Sequence, residues 1–372
     1  MGSMNNEVLI AVAGAGKTER VASDIAAEEH PAKVFLLTYL TRNQVEDSVR
    51  VATKMTKGNE FPRIMGWMSF LLNEIVRPYS RGVFPDVRVG TLCTDVPHDF
   101  NYRSGAKRYF TKSGDVFSER LALLAVETIK KCNGAPIARL ESVVDAIYID
   151  EAQDLRGNDL CIIEYLMKSR IRVQIVCDPR QSVVSTNNSD RKHKGYRGVN
   201  LAKFFLKLQS QSLCRVMGMW ETHRFTQEIA NLSDAVFAEY DQFQPTVSNV
   251  LPEADSGIFF IKKSDVQTYA ANHDATVLRL DKRAGDYPGV EVANFGECKG
   301  MTRRGVVIVA TGPIEKFFKC GTGLKEKAAC KLYVAITRAQ QVVTIAVNDP
   351  CFVVNLSQDS NSYWHSFNFR LA

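Results

Sequence analysis

The chain has 372 residues, 45% hydrophobic and 24% charged, a balance that builds globular cores and excludes intrinsic disorder. Lysine and arginine number 47 against 41 acidic residues, for a net charge of +6, which permits a polyanionic partner without requiring one. No apolar run reaches the roughly 18 residues of a membrane span, so no membrane partner is expected. No basic region followed by a long apolar stretch marks a signal peptide. Met1-Gly2-Ser3 ahead of Met4 reads as an expression remnant and is left out of fold reasoning. The nine cysteines are scattered without a C-x-x-C pair. They point to neither a zinc site nor a disulfide framework, and fit a reducing cytoplasm.

The first element is an apolar run, Val8 to Val12, ending in a loop of small residues, Ala13-Gly14-Ala15-Gly16, followed by Lys17-Thr18 and a helical pattern. Small residues let backbone N–H groups converge on a phosphate, and the helix N-terminus adds its positive dipole end. Lys17 is placed to reach the β- and γ-phosphates and Thr18 to put its hydroxyl on Mg²⁺. The strict phosphate-loop pattern has Gly where Ala11 stands.

Lys33 to Thr38 is a second strand and Thr41 to Met55 a helix. The stretch 81–134 is the least regular part and is expected to form a small insertion or a long surface loop. Ala146 to Asp150 is the next strand, and it delivers Asp150-Glu151 to its carboxyl end, where open α/β sheets bind ligands. Asp150 suits a hydrated Mg²⁺, and Glu151 suits orienting or deprotonating an attacking water. Gly157 to Lys168 reads as a helix. The strand Val173 to Asp178 ends in Pro179-Arg180-Gln181, with Gln181 positioned to sense a γ-phosphate. A polar, basic stretch follows, with Arg191, Lys192, Lys194, Tyr196 and Arg197 as candidates to grip a nucleic-acid backbone and stack a base. After a boundary near Ala202 to Gly218 the alternation restarts. Thr226 to Glu239 is helical, and Ala275 to Leu280, Gly305 to Ala310 and Val342 to Val347 are strands. Continuous apolar strands alternating with helices predict parallel sheets covered on both faces.

The ordered motifs resemble those of the UvrD/Rep-like branch of superfamily 1 helicases across Val8 to Val347. Ala13 to Thr18 resembles motif I, Leu37 to Asn43 motif Ia, and Gly66-Trp67-Met68-Ser69-Phe70 motif Ib. Asp150 to Asp154 is similar to motif II, Asp178 to Gln181 to motif III, and Thr222-His223-Arg224 to motif IV. Asn294 to Thr302, with Lys299-Gly300, resembles motif V, and Leu332 to Ala339 motif VI. The resemblance implies two RecA-like parallel-sheet lobes of the P-loop NTPase class. The first spans 4–205 with a small insertion about 81–134, and the second spans 206–372. It implies an ATPase with 3′ to 5′ helicase or translocase activity on single-stranded nucleic acid, DNA in preference to RNA. ATP and Mg²⁺ would bind in a cleft between the lobes.

By the same resemblance the catalytic residues are Lys17, Glu151, Gln181, Arg224 and Arg338, the last two as arginine fingers. The nucleotide is held by Ala13, Gly14, Ala15, Gly16, Lys17, Thr18 and Gly300, and the metal by Thr18 and Asp150. Nucleic acid would meet Thr38, Asn43, Trp67 and Phe70 as well as the basic stretch. The chain departs from the family in three places. No glutamine precedes Lys17 to read adenine. The stretch between Arg224 and Lys299 is too short for the usual accessory domain. No aromatic residue follows Gln181. The short insertions favour a second reading, a compact ATPase that senses nucleic acid and signals to a partner nuclease. Small helicase-like subunits of bacterial anti-phage systems resemble this.

Overall fold

Buried strands set the architecture. In a computed structural model, residues 5–39, 41–55, 60–95, 102–183, 190, 192–358, 364 and 366–372 are described, without the side chains of 41–43, 355, 357 and 358. Sixteen strands lie among the described residues. They are β1 (Glu7–Ala11), β2 (Val34–Thr38), β3 (Arg63–Gly66), β4 (Leu92–Cys93), β5 (Val116–Phe117), β6 (Ala146–Ile149), β7 (Arg172–Cys177), β8 (Arg215–Met219), β9 (Glu221–Thr226), β10 (Val247–Val250), β11 (Gly257–Lys262), β12 (Thr276–Arg279), β13 (Val292–Asn294), β14 (Arg303–Val309), β15 (Ala339–Val347) and β16 (Phe369–Leu371).

The chain divides into two compact units. The first comprises Met1–Ile10, Lys17–Cys177 and Ser185–Met217, and the second comprises Ala11–Gly16, Asp178–Val184 and Gly218–Ala372. The main division at Met217/Gly218 lies at the far end of the expected boundary stretch and beyond the 205/206 division. The sequence pattern does not show that two short segments of the N-terminal half belong to the second unit.

The first unit holds a six-stranded sheet in the order β3-β2-β6-β7-β1-β8. The pairs β1–β7, β6–β7, β2–β6 and β2–β3 are all parallel. Every residue of β2 and β6 is buried, as strands covered by helices on both faces must be. The helix Lys17–Ala26 turns Val21, Ala22 and Ile25 inward on one helical stripe. The region expected as an insertion contains the two-stranded parallel pair β4–β5 and the helix Ser118–Lys131. That helix buries Leu121, Leu124, Ala125 and Ile129, so its C-terminal part belongs to the core and is not a surface loop.

The second unit repeats the architecture. Its six-stranded sheet has the order β13-β12-β14-β15-β11-β16, parallel throughout. The helix Glu326–Ile336 buries Ala329, Cys330 and the whole run Leu332 to Ile336. Each unit is thus a helix-flanked parallel α/β sheet, the RecA-like class expected. No described helix is long and apolar enough to cross a membrane.

Candidate nucleotide and metal site

In the first unit, the site is built where β1, β2 and β6 end. The helix following β1 begins at Lys17, whose side chain is buried. The next residue, Thr18, donates its hydroxyl to Asp150 Oδ2 at 2.8 Å. Asp150 follows the last residue of β6 and is 3% exposed. Its other oxygen accepts the Glu151 backbone N–H at 2.7 Å. Glu151 sits at φ 56°, ψ 38°, a left-handed conformation uncommon outside glycine. Its carboxylate also bonds the Gln153 side-chain amide. The P-loop and acidic-strand residues expected to act on nucleotide are therefore together: Lys17, Thr18, Asp150 and Glu151.

The loop ahead of Lys17 needs glycine at two points. Gly14 has φ 76° and Gly16 φ 75°. Beyond that strain, a Cβ on Gly14 would lie 2.6 Å from both Arg224 Cβ and Thr222 Oγ1, whereas the space beside Gly16 is open. The same segment bonds the loop's carbonyls: Thr222 Oγ1 donates to Ala13 O at 2.9 Å, and His223 N donates to Gly14 O at 3.0 Å.

The electrostatics of the first-unit cluster are those of excess buried negative charge. Burial and the neighbouring Glu151 carboxylate push Asp150 up, against the Thr18 hydrogen bond and the Lys17 charge. A further acid, Asp47 of the helix Thr41–Lys54, is 2% exposed. Burial and then repulsion from Asp150 and Glu151 raise it as well. Its Oδ2 has no hydrogen-bond partner. A hydroxyl and hard carboxylate oxygens around a buried, unpaired acceptor fit a divalent cation such as Mg²⁺. Among the described residues no three His, Cys, Asp or Glu side chains are close enough to hold a bare ion.

The second unit gathers another set. Asp178 Oδ2 accepts from Gln181 Nε2 at 2.8 Å and from the Tyr333 hydroxyl at 3.0 Å. The Tyr333 oxygen in turn accepts the Ala13 backbone N–H at 3.1 Å. Arg338 is 1% exposed; its Nε donates to Val334 O at 2.9 Å, and Nη2 donates to Thr337 Oγ1 at 3.2 Å and Gln181 Oε1 at 3.4 Å. Arg338 Nη1 reaches Met301 O at 3.3 Å, next to the exposed Gly300 at φ 88°. Arg224 lies on β9 and donates to Thr337 O at 3.4 Å. Gln181, Arg224 and Arg338 thus share one hydrogen-bonded neighbourhood with Thr337.

The expected nucleic-acid contacts fare differently. Trp67 and Phe70 are 1% and 0% exposed. Trp67 Nε1 donates to Asp159 Oδ1 at 2.7 Å, and Phe70 packs edge-on to Phe35. Their rings are core, which corrects the expectation that they stack on bases: the short helix Trp67–Phe70 turns both rings inward after β3. Thr38 ends β2 and is buried, with an unpartnered hydroxyl oxygen. The Asn43 side chain and Arg191 lie outside the described residues. Lys192 and Lys194 are exposed. Tyr196 packs against Phe204 and His193, and Arg197 donates to Asp190 O, so these two shape their loop from within.

Sequence reasoning missed Asp47, Thr222 and Tyr333 as members of these clusters. Asp47 had one signal, a position four residues before the buried Val51, on the inward stripe of its helix. Thr222 and Tyr333 lie within the segments resembling motifs IV and VI, where the arginines alone were expected to act.

The chain matches no family model and no curated protein. Among solved structures it is similar to an arterivirus nonstructural protein 10 (helicase), with 13% identity and a TM-score of 0.47, over 94% of this chain and 61% of that one. A PRRSV helicase is similar at 13% identity and 0.46, over 93% of this chain and 53% of that one. An arterivirus nonstructural protein 10 (helicase) in complex with DNA is similar at 12% and 0.46, over 94% and 62%. The chain therefore spans about three fifths or less of the length of these neighbours.

Proposed function

We propose that the chain is an ATP-hydrolysing motor of the UvrD/Rep-like superfamily 1 type, acting on single-stranded nucleic acid. The observation that carries this reading is the Thr18–Asp150 hydrogen bond, which joins the phosphate loop to the acidic strand end. Lys17, behind that loop, neutralises the β- and γ-phosphates. Thr18 and Asp150 would hold Mg²⁺, which supplies charge compensation on the phosphate oxygens. Glu151 orients the attacking water and takes its proton. Gln181 and Arg338, already hydrogen-bonded to one another, respond together to the γ-phosphate. Arg338 and Arg224 oppose charge that develops in the transition state.

Ala13 and Gly14 are bonded within the second unit, while Lys17 and Thr18 are bonded within the first.

The test is steady-state ATP hydrolysis with no nucleic acid, single-stranded DNA, single-stranded RNA and duplex. Turnover stimulated by single strands, with displacement of an annealed strand, is the expected result. Turnover indifferent to all three polymers would remove the motor assignment.

A further inference from the structure

We propose that Asp47 is a third carboxylate of the divalent-cation site, a positioning residue that accepts hydrogen bonds from the cation's water shell. The proposal rests on the nucleotide-site reading above and adds to it a residue from the helix Thr41–Lys54.

That helix turns an acid inward beside Val51 while two other valines face out. Val45 and Val49 stand 65% and 58% exposed, while Asp47 is 2% exposed. A carboxylate taken out of water in place of an available valine must be compensated where it sits, because burying an unpaired charge is costly. Among the described residues its Oδ2 has no hydrogen-bond partner. Arg50, one helical turn on, acts on Asp47 only through space and forms an ion pair with Glu19 at 3.8 Å.

What faces Asp47 is the pair Asp150 and Glu151, both felt electrostatically, with Glu46 on its own helix adding further negative charge. Asp150 accepts from the Thr18 hydroxyl and is coupled by repulsion to Asp47 and Glu151, so a positive centre beside Asp150 stabilises all three. The three are not close enough to bind a bare ion directly. Mg²⁺ sheds its water reluctantly and is commonly held by one or two direct protein oxygens. The remaining acid then bonds the water shell, as outer carboxylates do around other metals.

The experiment measures Mn²⁺ binding by electron paramagnetic resonance, on the full chain with a non-hydrolysable ATP analogue. It compares wild type with Asp47→Asn, Asp47→Ser and Asp150→Asn, and records thermal melting without metal in parallel. Outer-shell partners are worth about 10- to 100-fold in metal affinity. Asp47→Asn is expected to weaken Mn²⁺ binding by at least about tenfold while melting at or above the wild-type temperature, because an unpaired charge has been removed. Asp47→Ser keeps the test valid should the asparagine variant fail to fold. Wild-type Mn²⁺ affinity in either folded Asp47 variant, with Asp150→Asn impaired, would overturn the role of Asp47 alone. Absence of Mn²⁺–nucleotide binding in the wild type would overturn the nucleotide site and this proposal with it.

Discussion

One guanidinium of Arg338 holds two backbone carbonyls and, in the proposed reading, also serves as an arginine finger. Nε and Nη1 hold the carbonyls of Val334 and Met301, while Nη2 faces Gln181. A lysine keeps the charge but cannot reproduce the planar fork. Arg338→Lys is expected to lower turnover by about 10³-fold, as loss of an arginine finger does. It should also lower the melting temperature, because buried carbonyls lose their donors. Turnover measured at a temperature well below both melting transitions separates the two effects. The proposed roles of Lys17 and Glu151 separate more cleanly. Lys17→Ala should abolish hydrolysis and weaken nucleotide binding. Glu151→Gln should retain binding but stop turnover, since shape is kept while charge and base are removed. Equilibrium nucleotide binding alongside hydrolysis checks both, and wild-type turnover in either would remove the assignment.

Between elements, Glu74 ties a strand to two helical segments. Its carboxylate accepts from Arg63 of β3 at 2.8 Å and from Arg139 of the helix Ala135–Val143 at 2.6 Å. Burial alone would raise its pKa, but the two guanidiniums outweigh burial and hold it below the ordinary carboxylate value. A depressed folded-state pKa contributes stability that is complete above the unfolded-state value and is lost as pH falls through the folded one. Glu74→Gln is therefore expected to cost about 1–3 kcal/mol at pH 7, discounted for the half-exposed Arg63. In urea unfolding the gap from wild type should narrow steadily below about pH 4. A gap independent of pH would assign the loss to packing.

Legibility in the sequence followed burial. β1, β2, β6, β7, β14 and β15 could be read because strands buried on both faces are continuous apolar runs. β3 (RIMG) and β13 (VAN) are too short and too exposed to show a period. β9 (ETHRFT) carries polar side chains because its job is to pack Thr222 and Arg224 against the glycine loop. The candidate residues Asp150, Glu151 and Gln181 were legible because they follow apolar strands closely in the sequence. Asp47 was not, because helix periodicity assigns the inward face to apolar residues and here Val45 and Val49 point outward.

At the scale of the molecule, the net charge of +6 is spread over the chain, and the basic loop divides by exposure. Lys192 and Lys194 are open to a polyanion, whereas Arg197 and Tyr196 brace the loop. Replacing Lys192 and Lys194 by Ala should weaken single-strand binding alike across sequences. The slope of log affinity against log salt should shrink by about 0.7 for each phosphate no longer neutralised. An unchanged slope would make these lysines plain surface.

The chain passes between its two units five times, at Ile10/Ala11, Gly16/Lys17, Cys177/Asp178, Val184/Ser185 and Met217/Gly218. The halves are stitched together rather than strung in series, so no single cut yields both units intact. A fragment ending at Met217 would keep Lys17, Thr18 and Asp150 but forfeit the Thr222, His223 and Tyr333 bonds that hold Ala13, Gly14 and Asp178. Grafting either half onto another protein would transplant an incomplete fold. Inheritance of this chain is expected to be all or nothing, its two sheets travelling as one genetic block.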